Sequence, residues 1–166
     1  MIRIANIEDS SRMAEIQVFG VRCAGKEIFP LDFLFNIFTI KNREEEYKEK
    51  LSKKNDDCKI YIFGEDNISK AFMIIGNCRD EDKDHKTFEL IQLYVDPLFQ
   101  RQNIGKQLVN YCINEATDNK KEEVILWTVE KNYNTVEFYK RMGFTTDGKI
   151  KKIEFNENLI RMIKKL

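Results

Sequence analysis

The sequence is poor in the residues that many enzyme motifs and chain breaks require. Its 166 residues include one histidine, two prolines and seven glycines, and its four cysteines lie far apart without a CxxC pair. A Ser-His-Asp or Cys-His hydrolase would have to use the single histidine, His85, which lies in the polar run RDEDKDHK. The cysteine spacing provides neither a zinc site nor a disulfide framework. We therefore expect reduced thiols, no metal and no hydrolase triad.

The charge balance and the hydrophobic pattern exclude further classes. Lysine and arginine together number 28, as do aspartate and glutamate, so the chain has no overall bias toward nucleic acid or membranes. No apolar run is long enough for a membrane-spanning helix, and the start of the chain lacks the features of a signal peptide. We expect a cytoplasmic protein that forms one domain over residues 1–166, with no nucleic-acid or membrane partner.

Helical and strand periodicities alternate along the chain. A short strand at Ile2–Ala5 precedes a helical pattern, and residues 29–56 indicate further helix. Strand patterns then alternate with two more helices and end in a pair of strands. The predicted order is β-α-α-β-β-β-α-β-α-β-β, a mixed α/β fold with at least one β-α-β unit. An aromatic cluster in the second helical segment is expected to be core, with a substrate-pocket wall as the alternative: Phe29, Phe33, Phe35 and Phe38.

The stretch QRQNIGK, Gln100–Lys106, has the layout of an anion-binding turn, because it joins a predicted strand to a helix. The first N–H groups of a helix lack partners and carry about half a positive charge. Such turns usually rely on glycines so that the backbone can approach a phosphate, and here the only glycine is Gly105. Asparagine tolerates left-handed backbone angles better than most residues, so we predict a positive or otherwise unusual φ for Asn103, or else an amide that is turned away from the phosphates. An ordinary strand-to-helix connection is the alternative.

A second stretch, NYNTVEFYKRMGF, covers Asn132–Phe144 and follows another predicted strand. It predicts a short helix that Gly143 ends at the C′ position. Tyr139 lies on this helix, where it is either a packing residue or a candidate acid. The residue type alone does not decide between the two.

Together the two stretches resemble the GNAT superfamily of acetyl-CoA-dependent N-acetyltransferases. QRQNIG is similar to the family's cofactor motif Q/R-x-x-G-x-G/A, with Asn103 in place of the first glycine. NYNTVEFYKRMGF is similar to the later motif N-x-x-A-x-x-F-Y-x-x-x-G-F, with Thr135 in place of alanine. The close resemblance covers about 88–144. It implies a central, mostly antiparallel sheet that is split in the middle and flanked by helices on both faces.

The resemblance also implies a cofactor and its site. Acetyl-CoA would bind without a metal, with its pantetheine arm along the end of a central strand and its diphosphate at the loop. Tyr139 would act as general acid toward the CoA sulfur, and Glu89 as general base, directly or through a water. Asn132 would contact the cofactor arm by its side chain. The implied cofactor-binding residues are Leu93, Tyr94, Val95, Gln100, Arg101, Gln102, Asn103, Ile104, Gly105, Lys106, Asn132 and Tyr139.

The leading functional interpretation is transfer of an acetyl group to a primary amine of a small molecule, polyamine-like or otherwise cationic, by direct attack in a ternary complex. One alternative is acetylation of a protein amino terminus or lysine. Another, from a different class, is a non-catalytic acyl-CoA-binding sensor domain. A homodimer through the last strands is a further expectation from the family. The sequence leaves the identity of the amine open.

Overall fold

A computed structural model describes residues 1–53 and 57–166 of the chain. The elements follow the predicted order, and the prediction of a mixed α/β fold is confirmed. The seven strands found in the described residues form one sheet in the hydrogen-bonded order β1-β2-β3-β4-β5-β7-β6. The strands and helices are β1 Ile2–Ile4, α1 Ser10–Gly25, α2 Ile40–Ser52, β2 Cys58–Glu65, β3 Ile68–Asn77, β4 Thr87–Val95, α3 Ile104–Asp118, β5 Glu123–Val129, α4 Tyr133–Arg141, β6 Thr145–Ile153 and β7 Glu157–Lys165.

The chain divides into two compact units. The first unit is Met1–Ile74 with Gln92–Leu108, and the second is Ile75–Ile91 with Val109–Leu166. The expectation that residues 1–166 form one domain stays a prediction.

In the first unit, α1 packs on α2, and β1 pairs with β2 in antiparallel fashion. Apolar side chains at helical spacing on α1 explain its buried face, and alternating or continuous apolar runs explain the buried strands. Removing this apolar surface from water is the main driving force for the packing. The buried side chains of this unit include Met13, Ile16, Val18, Leu34, Tyr47, Ile62, Phe63, Phe72 and Met73.

The helical segment predicted over residues 29–56 is helical over 31–37 and again in α2, but it is interrupted at Phe38 and Thr39, which the prediction missed. A single π-helical turn, Phe33–Ile37, closes with a hydrogen bond of 2.7 Å from the Phe38 N–H to the Phe33 carbonyl. Thr39 is extended, and its side-chain oxygen accepts the Asn42 N–H, which caps the start of α2. Residues 54–56 of the predicted segment lie outside the described residues.

The aromatic cluster beside this turn is not core, contrary to the first expectation. Leu34 is fully buried, whereas Phe35 is 55% exposed and the other three rings are half-buried. The physical reason is that a single turn can bury only one of its sides. The Arg22 guanidinium carbon lies 4.5 Å from the centroid of the Phe35 ring, as in a cation–π contact.

In the second unit, β4 and β5 are parallel, and β7 is antiparallel to both β5 and β6. β6 is the last strand in the order and is exposed along most of its length. Its register with β7 shifts between Thr146 and Ile150, around Gly148 at a φ of 84°. The buried side chains of this unit include Leu90, Cys112, Val124, Ile125, Leu126, Phe144 and Met162.

Two features are absent from the described residues, 1–53 and 57–166. None of their helices is both long and apolar enough to cross a membrane. No group of three or more of their histidine, cysteine, aspartate and glutamate side chains is arranged to hold a metal ion.

Candidate active site

The loop between β4 and α3 has the left-handed backbone that was predicted for Asn103. The φ of Asn103 is 61°, which confirms that prediction, and the φ of Arg101 is also 61°. α3 begins at Ile104, and its first hydrogen bond runs from the Gln107 N–H to the Asn103 carbonyl at 3.0 Å. The N–H groups of residues 104–106 therefore have no carbonyl four residues earlier within the helix.

The left-handed Arg101 was not predicted, and its residue type offers no signal for it. A left-handed conformation costs most residues with a side chain about 1–2 kcal/mol and asparagine less, so the strain lies mainly at Arg101. Alternation of left- and right-handed residues turns successive N–H groups toward one side, which makes a concave anion site. Arg101 and Lys106 are exposed and add positive charge, while buried Ile104 anchors the start of the helix. This donor set fits a diphosphate.

The end of β4, where the pantetheine arm is predicted to lie, is beyond the described pairing with β5. That parallel register runs from Thr87–Glu123 to Leu90–Leu126. The Val95 carbonyl accepts a hydrogen bond of 3.3 Å from the side-chain amide of Gln100. Gln100 therefore folds back on the strand, and the predicted main-chain contacts of 93–95 stay predictions.

Buried Tyr47 on α2 and half-buried Tyr94 on β4 lie near each other in the first unit. The Tyr47 hydroxyl donates to the Gln92 side-chain oxygen at 3.0 Å. The Phe72 ring lies between Tyr47 and Tyr94, with ring centroids 5.3 and 5.5 Å away. Burial raises the pKa of Tyr47 and of Tyr94, so both phenols stay protonated near neutral pH. These tyrosines can donate hydrogen bonds but are poor candidates for a base.

Glu89, the predicted base, lies in the second unit with both oxygens engaged. Its side chain is only 3% exposed. The Arg79 guanidinium donates from Nη2 to Oε1 at 2.6 Å and from Nε to Oε2 at 2.9 Å, and the Arg79 main-chain N–H donates at 3.2 Å. Oε1 accepts one of these hydrogen bonds and Oε2 accepts two, so Arg79 competes with a substrate for the carboxylate. The role of Glu89 stays a prediction. Arg79 was not predicted, and the only signal for it in the sequence is its position shortly before β4.

The short helix α4 in the second unit carries the predicted acid. Tyr139 is buried, and its ring packs against Phe138 and Phe144 at centroid distances of 5.1 and 5.7 Å. Gly143 ends the helix with a φ of 86°, which confirms the predicted C′ glycine. The catalytic role of the Tyr139 hydroxyl is untested by this geometry and stays a prediction.

Asn132 begins α4 as its N-cap. Its side-chain oxygen accepts the Thr135 N–H at 3.4 Å. Thr135 takes part through its backbone, so threonine in place of the family's alanine leaves the cap intact. The predicted contact of Asn132 with the cofactor arm stays a prediction.

Residues 27–144 match the model of the acetyltransferase (GNAT) family, which is more than half of the chain. The chain belongs to the GNAT family. It is 33% identical over 78 residues to an uncharacterized N-acetyltransferase of Methanocaldococcus jannaschii, covering 47% of this chain and 32% of that protein. It is 32% identical over 75 residues to N-alpha-acetyltransferase 30 of Dictyostelium discoideum, covering 43% of this chain and 40% of that protein. The chain thus matches less than half the length of these two relatives.

A comparison with solved structures agrees with the family assignment. The PaiA N-acetyltransferase of Thermoplasma acidophilum, solved in complex with coenzyme A, matches with a TM-score of 0.79 at 20% identity. That match covers 100% of this chain and 98% of the other. At this identity the likeness shows the GNAT fold and leaves the substrate open.

Proposed function

We propose that the chain is an acetyl-CoA-dependent N-acetyltransferase that acetylates a primary amine of a small molecule by direct attack in a ternary complex. The observation that carries the proposal is the loop before α3. Its left-handed Arg101 and Asn103 occupy the family's cofactor motif and lead into the amino-terminal N–H groups of a helix. Family membership and the coenzyme A complex of the Thermoplasma relative support it.

In the first unit, the loop residues would hold the cofactor's diphosphate. The main-chain N–H groups of 101–106 would donate to it, and the side chains of Arg101 and Lys106 would add positive charge. The main chain of 93–95 would pair with the pantetheine arm. Acetyl-CoA, when bound, supplies an acetyl group activated as a thioester.

In the second unit, the proposed catalytic residues move protons. Glu89 would take the proton of the incoming ammonium, directly or through a water, in competition with the hydrogen bonds from Arg79. Tyr139 would donate to the sulfur as the C–N bond forms and the C–S bond breaks. A phenol of pKa near ~10 is a weaker acid than a thiol of pKa near ~8.5, so we expect a strong hydrogen bond with partial transfer. Asn132 would contact the cofactor arm.

A small cationic amine is the preferred acceptor because the basic residues are unevenly placed. The last 27 residues, Lys140–Leu166, hold eight basic and three acidic side chains, which leaves the rest of the chain acidic. Acetylation of a protein amino terminus is the second candidate, and the resemblance to N-alpha-acetyltransferase 30 favours it. A cytoplasmic location and a homodimer are part of the proposal and stay predictions.

The proposal is tested by thiol release from acetyl-CoA with a panel of acceptors. The panel contains polyamines, simple monoamines, peptides with a free amino terminus, and amino-terminally blocked peptides with a lysine. Turnover that is fastest with a small amine supports the proposal, and turnover restricted to peptides transfers it to the second candidate. Tight coenzyme A binding without turnover on any amine would favour a sensor and contradict the proposed activity.

Tyr139→Phe tests the proposed acid. We expect kcat to fall by about 10²-fold because the proton donor is lost, while coenzyme A affinity changes less than about twofold because the ring packing is kept. Tyr133→Phe is the matched control, since Tyr133 begins the same helix and is 71% exposed. If Tyr139→Phe and Tyr133→Phe had the same kcat, the Tyr139 hydroxyl would not be the proton donor.

A further inference from the structure

We propose that Arg12, on α1, is a positioning residue for the diphosphate-binding loop and acts on it through Asp96. This inference rests on the proposed function, because the loop is taken to bind the cofactor. Arg12, Asp96 and the whole loop lie in the first unit. No part of either family motif contains Arg12.

Arg12 is held by three partners that fix its guanidinium. Its Nε donates to the Ser69 carbonyl at 3.0 Å, its Nη1 to the Glu15 carboxylate at 2.9 Å, and its Nη2 to the Asp96 carboxylate at 2.6 Å. An arginine fork bound on several nitrogens has little freedom, so it defines the position of the carboxylate that it contacts. The contact with Asp96 joins α1 to the residue that directly follows β4.

Asp96 passes this constraint on to the loop. Its side chain is 4% exposed, and while Oδ2 binds Arg12, Oδ1 accepts the Leu98 N–H at 2.9 Å. Its own N–H donates to the Lys70 carbonyl, and its carbonyl accepts the Phe99 N–H at 2.8 Å. Four contacts therefore fix the first turn of the loop, and one of them comes from α1.

The loop needs such an anchor because its conformation is strained. Arg101 and Asn103 both have a φ of 61°, and a left-handed conformation persists only where the surroundings determine it. Without Arg12, the buried Asp96 carboxylate would lose its charged partner and would turn toward water. The Leu98 N–H would then lose its acceptor, and the amides that face the diphosphate would no longer be arranged before binding. Loss of such preorganisation weakens binding.

A second arginine–aspartate pair of the same unit serves as a matched control. Arg3 donates to both oxygens of Asp9 at 2.7 and 2.6 Å, and Asp9 also accepts the Asn6 N–H at 2.9 Å. This pair resembles the Arg12 pair in chemistry and in capping a turn, but the turn is the one before α1. Arg3→Gln therefore measures the effect of losing an ion pair without touching the loop.

The experiment compares Arg12→Gln, Arg12→Lys and Arg3→Gln in the full chain. Titration calorimetry measures the dissociation constant of coenzyme A, and hydrogen exchange of the protein without ligand measures protection of the amides of residues 97–106. We expect Arg12→Gln to weaken coenzyme A about tenfold, to raise the KM for acetyl-CoA similarly with little change in kcat, and to reduce protection of the loop. Arg12→Lys should recover part of the affinity, and Arg3→Gln should leave it unchanged.

Unchanged coenzyme A affinity in Arg12→Gln would overturn the inference. An equal loss in Arg3→Gln would also overturn it, because the effect would then be general destabilisation. If the wild-type chain does not bind coenzyme A, the proposed function fails instead. Hydrogen exchange of the ligand-free loop still decides in that case whether Arg12 positions it.

Discussion

Each unit of the chain contains an arginine that gathers carboxylates, and the two differ in where those carboxylates lead. Arg161 on β7 is only 3% exposed and donates to Asp80, Asp82 and Asp147 at 2.6 to 3.0 Å. These hydrogen bonds, with that of Asp82 the strongest, raise the pKa of Arg161 further above its usual range. The side chain of Arg12 is 29% exposed and binds Glu15 and Asp96.

The further partners of the carboxylates make the difference. Asp80 also accepts the Trp127 indole N–H at 2.9 Å and a hydrogen bond from the Lys151 ammonium at 2.6 Å. Lys151 and Arg161 both lie over the Trp127 ring. The Arg161 cluster thus stabilises its own surroundings. Asp96 instead holds a main-chain N–H of the loop. We therefore expect an ion pair to affect function when the second oxygen of its carboxylate holds a segment of the binding site. When the carboxylate holds no such segment, we expect an effect on stability alone.

The largest expected effect comes from breaking the Arg161 cluster. Arg161→Met removes the guanidinium that the three carboxylates share, so we expect a loss of about 3–5 kcal/mol in the free energy of unfolding. Urea unfolding followed by fluorescence of Trp127, the single tryptophan, measures it. Arg161→Lys keeps the charge and should lose less. Because the cluster does not hold the loop, the folded variants should bind coenzyme A normally, and weakened binding would contradict the comparison.

A smaller loss in the free energy of unfolding is expected when the pH is lowered, because of a second ion-pair cluster in the same unit, around Glu123. Burial alone would raise the pKa of Glu123, but hydrogen bonds from Lys165, Lys83 and Thr87 outweigh it and lower the pKa to about 2. The folded pKa is below the unfolded value of about 4.3, so this stability is present above about pH 4.3 and is lost as the pH falls toward 2. Between pH 7 and pH 3 we expect a loss of about 1–2 kcal/mol, with the remainder lost only as the pH approaches 2.

Urea unfolding at a series of pH values from 7 to 3 checks this prediction. Glu123→Gln has no carboxylate to titrate at this position, so its stability should fall less steeply below about pH 5 than that of the wild type. Parallel curves for the two proteins would show that Glu123 does not contribute to the acid sensitivity.

A substitution at Asn103 in the diphosphate-binding loop is expected to have a smaller effect, and on coenzyme A affinity. Asn103→Ala should let the free loop leave the left-handed conformation, which costs alanine about 1 kcal/mol. The loop must regain this conformation when coenzyme A binds, so we expect about fivefold weaker binding. Asn103→Gly removes the strain and should bind at least as well as the wild type. Calorimetry on both variants checks the contrast, and equal affinities would mean that the backbone angle of Asn103 is not what the loop requires.

The smallest effect is expected from the exposed partner of Arg161. The side chain of Asp82 is 43% exposed, and Arg161 keeps Asp80 and Asp147 when it is lost. Asp82→Asn should therefore change the free energy of unfolding little at neutral pH and far less than Arg161→Met, as is usual for solvent-exposed ion pairs. A loss as large as that of Arg161→Met would show that the three carboxylates act as one unit.

The order of the elements was predictable because it depends on local patterns. The periodicity changes at Cys58 and at Ile104, and the structure begins a strand and a helix at these residues. The positive φ of Asn103 and the helix end at Gly143 followed from residue type. The break at Thr39 was missed because the apolar run before it and the charged run after it both have helical character.

The contacts between distant parts of the chain were not predictable. Glu89 was expected to be an available base, whereas Arg79, ten residues earlier, covers it, and this depends on how a turn folds back on a strand. Arg12 and Asp96 are 84 residues apart in sequence. Nothing in either residue type indicates the other, since arginine and aspartate are common surface residues and their pairing arises only from tertiary packing.

The outermost strand, β6, has a consequence for how the protein behaves at high concentration. An unprotected sheet edge is a template onto which a strand of another molecule can add. Here the register shift around Gly148 distorts the edge, and Lys149, Lys151 and Lys152 place charge along it. Both devices oppose the repeated, regular strand addition that builds a fibre, which a single contact between two copies does not require, so β6 should not nucleate fibrous aggregates even though Ile150 is 55% exposed.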